Sequence, residues 1–208
     1  MKKTIAISHQ KGGVGKSLLS LHLCGAIPGA IIIDLDTQSS CAYISNARET
    51  PFNVISINTN DQDAEKQLFK ILDQYEGKET IIIDCGGFDS SMNRTAIANS
   101  DIVLTPVKDN SFEILAFKRF MEILNEVQVK SDVKGFALIN NVNAQTKDFD
   151  RLRDLISKSN ITLLDTIIRQ RADFNNTLEA GTTVTEVTMF SKASKEILDL
   201  IQELKGKI

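Results

Sequence analysis

Lys11-Gly12-Gly13-Val14-Gly15-Lys16-Ser17 lies between a short apolar run, Thr4-Ile5-Ala6-Ile7-Ser8, and a helical pattern that begins at Lys16. A glycine-rich turn between strand and helix lets the backbone curl until several N–H groups converge on one anion. The helix that follows adds its positive N-terminal end. In such a loop a lysine at position 16 reaches the β- and γ-phosphates of a nucleotide, and the hydroxyl at position 17 is offered to Mg²⁺. The expected phosphate contacts are Gly12, Gly13, Val14, Gly15, Lys16, Ser17 and the adjoining Leu18.

The rest of the chain repeats the strand–helix alternation. Ile31–Asp34, Val54–Ile57, Thr80–Asp84, Ile102–Thr105 and Phe136–Asn140 read as strands, with a weaker one near Thr162–Leu164. Their apolar residues are continuous rather than alternating, as in parallel strands buried on both faces. Helical periodicity occupies Lys16–Gly25, Asp61–Tyr75, Phe112–Val127, Asp148–Ser157 and about Lys192–Leu204. This order predicts an α/β fold: a single doubly wound, mainly parallel sheet flanked by helices, forming one domain over residues 1–208. Ligands of such sheets bind beyond the carboxyl ends of the strands. The chemistry-bearing residues stand there: His9–Ser17 after the first strand, Asp34 and Asp36 after the second, Asp84 after the fourth, Asn140 and Asn141 after the sixth.

The bulk properties exclude some classes. Of 208 residues, 42% are apolar, enough for a sizeable core, and the net charge of −3 rules out a wholly basic nucleic-acid binder. The three cysteines, Cys24, Cys41 and Cys85, match no zinc or redox spacing and read as reduced thiols of a cytosolic protein. No secretory leader opens the chain, and no apolar run approaches the ~20 residues that span a bilayer. A cytoplasmic protein is expected.

The loop departs informatively from the general G-x-x-x-x-G-K-[ST] pattern. Position 10 is Gln, and an extra lysine, Lys11, opens the loop. With Asp34-Leu35-Asp36-Thr37-Gln38-Ser39, Ile81-Ile82-Ile83-Asp84-Cys85-Gly86-Gly87, Ser100–Val107, Ile168–Phe174 and Gly181–Val184, this resembles the ParA/MinD family of deviant Walker A ATPases along nearly the whole chain. The resemblance implies ATP and Mg²⁺ as ligands and a nucleotide-sandwich homodimer. Lys11 would reach the partner's triphosphate, Asp36 would serve the attacking water and the Mg²⁺ shell, and Asp84 would hold Mg²⁺ through a water. Catalytic roles thus fall to Lys11, Lys16 and Asp36, and the metal to Ser17, Asp36 and Asp84. Gly86 would donate to the γ-phosphate. Thr37 replaces the family's proline and His9 its commoner asparagine. Asp34 reads equally as a strand-end structural acid. The guanine-reading N-K-x-D pattern is absent, which favours ATP; Asn140 and Asn141 either contact adenine or make turn hydrogen bonds.

Among the subgroups, an iron–sulfur protein is excluded because no C-x-x-C pair exists. The final helix is amphipathic but carries acids among its lysines, and it matches core packing better than membrane anchoring. The small partition ATPases fit best. The expected partners are a second copy bound in an ATP-dependent manner, non-specific DNA, and a small centromere-binding adaptor protein. The expected location is the cytoplasm, on the nucleoid when ATP is bound. Arg169 and Arg171, then Lys192 and Lys195, are the DNA candidates, with structural salt bridges as the alternative for the arginines. Nine basic against eight acidic residues from Arg151 onward make this half nearly neutral. The competing readings are a positioning ATPase for another cargo and a MinD-like membrane-associated ATPase. Lys11 argues against a metabolic ligase of the dethiobiotin-synthetase kind.

Overall fold

The computed structural model describes residues 2–207. Its strands are β1 (Thr4–Ile7), β2 (Ile31–Asp34), β3 (Asn53–Ser56), β4 (Ile81–Asp84), β5 (Ile102–Val107), β6 (Lys134–Val142) and β7 (Ile161–Arg169). The helices are α1 (Lys16–Ala26), α2 (Ser40–Asn46), α3 (Ala64–Tyr75), α4 (Ser91–Ala98), α5 (Ser111–Gln128), α6 (Asp150–Ile156), α7 (Ala172–Glu179), α8 (Val184–Val187) and α9 (Lys192–Lys207). All seven strands join one sheet in the order β3-β2-β4-β1-β5-β6-β7, and every pairing is parallel.

Alternation within the Ile-rich strands fills both faces. Ile31, Ile33, Ile81 and Ile83 pack under α3 to α6 with Leu68, Phe117, Phe120 and Leu152. Ile5, Ile7, Ile32 and Ile82 face the other way, with Leu19 and Leu23 of α1 and Ile197 and Leu200 of α9. The register sets Ile7 beside Asp84, and Asp84 beside Asp34, so three central strands end level with one another. That alignment gathers the loops that follow them.

The expected strands and long helices are present, with ends shifted by up to three residues. The segment near Thr162–Leu164 is a nine-residue edge strand, Ile161–Arg169, rather than a weak one. Its register with β6 is broken at two places. Its backbone is covered by α9: Glu203 accepts from the N–H groups of Asp165 (2.8 Å) and Thr166 (2.9 Å), and Glu196 from that of Arg169 (3.0 Å). Charged side chains thus occupy donors that an exposed edge would present to another strand. Four helices carried no periodic signal, α2, α4, α7 and α8, and none exceeds eight residues. α8 owes its start to a capping box of Thr183 and Glu186.

Candidate functional site

The loop from β1 to α1 turns through two left-handed glycines, Gly13 (φ 76°) and Gly15 (φ 96°). Gly15 is also the N-cap of α1 and supplies no side-chain cap, so the first-turn N–H groups of α1 have no capping side chain. Beyond its immediate chain neighbours, a Cβ on Gly12 or Gly13 would meet nothing within 4 Å among the described residues. Val14 is buried, and its carbonyl accepts from Asn140 Nδ2 at 2.7 Å. A Cβ on Gly15 would meet that same amide nitrogen at 2.6 Å, so β6 clamps the loop from behind. Lys16 is buried, and its Nζ reaches back to the Lys11 carbonyl at 3.2 Å, spanning the loop.

The acids line the other wall. Asp84 is fully buried at the end of β4. Ser20 Oγ and Cys41 Sγ each donate to it at 3.2 Å, and the Ser17 side chain hydrogen-bonds to it as well. Burial raises the Asp84 carboxyl to about 6, with Asp34 acting in the same direction and Ser17, Cys41 and Lys16 opposing it. A hard-oxygen pair of Ser17 and Asp84, with a carboxylate whose charge is costly alone, fits a divalent cation such as Mg²⁺ that keeps part of its water. Asp34, also buried, accepts the backbone N–H groups of Asp36, Cys41 and Ala42 at 3.1, 3.1 and 3.2 Å. It thereby organises the loop that carries Asp36, whose own carboxylate accepts from Gln38 N at 3.0 Å. Burial pushes the Asp34 carboxyl up as well. Ser39, in this loop, has φ 48°, a conformation costing a non-glycine residue about 1–2 kcal/mol.

The two lysines of the phosphate loop point apart. Lys16 spans the loop, whereas Lys11 Nζ donates to Glu113 Oε1 of α5 at 2.7 Å. Glu113 is buried, and its Oε2 has no hydrogen-bond partner among the described residues. His9 lies beneath this pair. Its Nδ1 accepts the Lys11 N–H at 3.0 Å, and its ring stacks with Phe117 and Phe120. Burial lowers the His9 pKa to about 4; Lys16 and Lys11 act in the same direction and Glu113 opposes them. The ring is neutral at pH 7, and with Nδ1 accepting, its proton sits on Nε2.

Beyond the loop, Gly15, Leu18, Asn140, Asn141, Gln170 and Phe174 line a cavity of about 300 Å³. Asn140 spends its amide on Val14, while Asn141 is exposed with φ 53°. The DNA candidates divide. Arg171 pairs with Glu196 at 2.5 Å, and Arg169 donates to the carbonyls of Asn143 and Thr146 and stands over the Phe149 ring. Arg171 thus makes the structural salt bridge that is its alternative role, whereas Arg169 is held by backbone carbonyls. Lys192 and Lys195 are exposed on the first turn of α9.

This fold and this loop define a nucleotide-binding α/β protein of the P-loop type. The chain belongs to the family described as the CobQ/CobB/MinD/ParA nucleotide binding domain, whose model matches residues 5–184. Among individual relatives, it is 19% identical to the maintenance of carboxysome distribution protein A of Halothiobacillus neapolitanus, over 97% of this chain and 95% of that protein. It is 24% identical to protein ParA of Rhizobium radiobacter, over 62% of this chain and 60% of that protein. In structure it is similar to a plasmid partition protein from Borrelia burgdorferi B31 bound to AMPPNP, with a TM-score of 0.72, 17% identity and both chains covered in full. At that identity the likeness establishes the fold.

Sequence reasoning overlooked Glu113, Cys41, Ser20 and Gln170. Glu113 stands three residues after the N-cap Asn110, whose side chain accepts its N–H, so it reads as an ordinary first-turn acid. Its partner is 102 residues away. Cys41 and Ser20 follow motif residues, but nothing local directs them at Asp84.

Proposed function

We propose that the chain is a ParA-type partition ATPase that binds ATP with Mg²⁺, closes into a nucleotide-sandwich dimer, binds DNA non-specifically and hydrolyses ATP to move a plasmid or chromosomal cargo. The observation that carries this reading is the divergence of the two loop lysines: Lys16 serves its own loop, while Lys11 is turned away to α5. A lysine side chain that does not serve its own loop is available, on leaving Glu113, for a second subunit's triphosphate.

In this reading Gly12–Ser17 and Lys16 hold the phosphates, and Leu18, Asn140 and Asn141 border the cavity for adenine. Ser17, Asp84 and Asp36 hold Mg²⁺, which when bound neutralises charge on the phosphates. Asp36 orients water, and the Asp34-anchored loop keeps Asp36 in place. Lys11 stabilises charge across the dimer. Catalysis is positioning and charge stabilisation, and in this reading turnover is slow until a small adaptor protein completes the site. Lys192 and Lys195 lead the DNA surface, and Arg171 joins only by leaving Glu196.

Light scattering with a non-hydrolysable ATP analogue tests the reading. The wild type should dimerise, Lys11→Ala should bind nucleotide but stay monomeric, and Lys16→Ala should bind none. Micromolar nucleotide affinity in Lys16→Ala would overturn the site.

A second reading is a positioning ATPase for another cargo. It is favoured by the near full-length match to the carboxysome distribution relative, compared with a partial match to ParA. A pull-down with ATP separates the readings by what is retained: DNA with a centromere-binding adaptor, or DNA with an adaptor on a different cargo. A liposome arm tests the membrane alternative. Against it, Ala193, Ile197, Leu200, Ile201 and Leu204 of α9 are buried in the core, and no helix among the described residues is long and apolar enough to cross a membrane.

A further inference from the structure

Cys41 touches both buried acids of the site, Asp84 and Asp34. Its side chain is fully buried at the start of α2. Its Sγ lies 3.2 Å from Asp84 Oδ2 and 3.8 Å from the Ser17 carbonyl, and its backbone N–H donates to Asp34 Oδ2 at 3.1 Å. We propose that Cys41 is a positioning residue for the Mg²⁺ end of the site, fixing the Asp84 carboxylate and coupling it to the loop that carries Asp36. The proposal deepens the nucleotide-binding reading above and rests on it.

The physical need lies in the terminal torsion of aspartate, which is broad and roughly two-fold. A carboxylate at the end of β4 is fixed in position by the sheet but not in rotation. Donors from two helices fix that rotation: Ser17 and Ser20 of α1, the latter on Oδ1 with its proton shared with the Lys16 carbonyl, and Cys41 Sγ of α2 on Oδ2. Donors behind a metal-holding carboxylate orient it and tune its affinity. Cys41 adds a second link. Asp34, which accepts its N–H, also accepts that of Asp36. The orientation of Asp84 and the placement of Asp36 are therefore tied through one residue. A cysteine serving only as a small apolar filler has no reason to aim its thiol at a carboxylate, and serine would serve it badly. A positioning cysteine is replaceable by serine, which keeps the donor.

Calorimetry of ATP binding, in EDTA and across a Mg²⁺ titration, tests this. Cys41→Ala should leave the affinity in EDTA unchanged and raise the Mg²⁺ concentration at half-effect by roughly tenfold, the low end for a supporting donor because a thiol donates weakly. Cys41→Ser should restore most of it. An unchanged Mg²⁺ midpoint in Cys41→Ala, or an equal loss in Cys41→Ser, overturns the proposal. Failure of the wild type to bind ATP even in EDTA overturns the nucleotide reading instead. Should Cys41→Ala not fold, infrared spectroscopy decides. The S–H band absent from Cys41→Ser should move to higher frequency in Asp84→Asn, and a band that does not move refutes the bond.

Discussion

Lys11 Nζ and Glu113 Oε1 lie 2.7 Å apart, joining the first residue of the phosphate loop to the first turn of α5. The lysine is half exposed, whereas the glutamate is buried and has one oxygen without a partner. Removing the lysine leaves a buried carboxylate uncompensated. Lys11→Met should therefore destabilise the nucleotide-free monomer by about 1–3 kcal/mol. The double variant Lys11→Met/Glu113→Leu should recover part of that loss. Urea unfolding of the four proteins in the cycle measures it, and a strictly additive double variant would sink the coupling.

The same pair predicts an effect on assembly. Glu113→Gln keeps the shape of the side chain but weakens its hold on Lys11. If Lys11 must leave Glu113 to serve a second subunit, the variant should dimerise at lower protein concentration with an ATP analogue. Sedimentation at several concentrations reads this directly; a weaker dimer would mean that Glu113 supports Lys11 in the assembled state.

Asp84 is costly to the empty protein. Its carboxyl titrates near 6, above its ordinary value, because burial disfavours the charge. A carboxyl with a raised pKa favours folding below its unfolded value and loses that contribution as pH rises through about 6. Asp84→Asn should thus raise the melting temperature of the nucleotide-free protein at pH 8, with a gain that shrinks as pH falls below 6. Ser20 can serve the new amide, since its proton also reaches the Lys16 carbonyl and its oxygen is free to accept. The variant should lose the Mg²⁺ dependence of ATP binding. Equal gains at pH 5 and pH 8 would contradict the burial argument.

His9 and His22 give the opposite slope. Burial lowers both to about 4 from 6.5. Between those values an unfolded histidine binds more protons than a folded one, so the contribution of these two rings to stability is full above pH 6.5 and is lost as pH falls toward 4. The loss is on the order of 3 kcal/mol for each ring. His22 holds two elements to α1, bonding the Phe174 carbonyl at 3.0 Å and the Val184 N–H at 3.4 Å. His9→Asn, which retains an acceptor near the Nδ1 position, should lower the slope of stability against pH between 6.5 and 4 by about one proton relative to the wild type, the Asp84 contribution being common to both proteins.

Glu203 covers the edge of the sheet. Glu203→Ala leaves the Asp165 and Thr166 N–H groups to water and should cost about 1–2 kcal/mol, or roughly 2–8 °C in melting temperature. Hydrogen exchange should rise at those two amides and not at β1. Unchanged protection would mean that the glutamate is incidental to the strand.

The sequence by itself determined the class of fold, the phosphate loop and the acids at the strand ends. Continuous β-branched runs such as Ile31–Asp34 and Ile81–Asp84 are local signals, and so is the Gly-Gly-x-Gly-Lys-Ser turn, because each is read within about ten residues. β7 was underestimated because Thr162, Asp165 and Thr166 break its apolar run, and its edge is completed by Glu196 and Glu203 of a distant helix. Only the tertiary structure decided where Lys11 rests, that Asn140 clamps Val14, that Arg171 is held by Glu196, and that Cys41 addresses Asp84. These contacts span 25 to 126 residues. They depend on which strand ends the sheet order sets side by side, and no local pattern encodes that order.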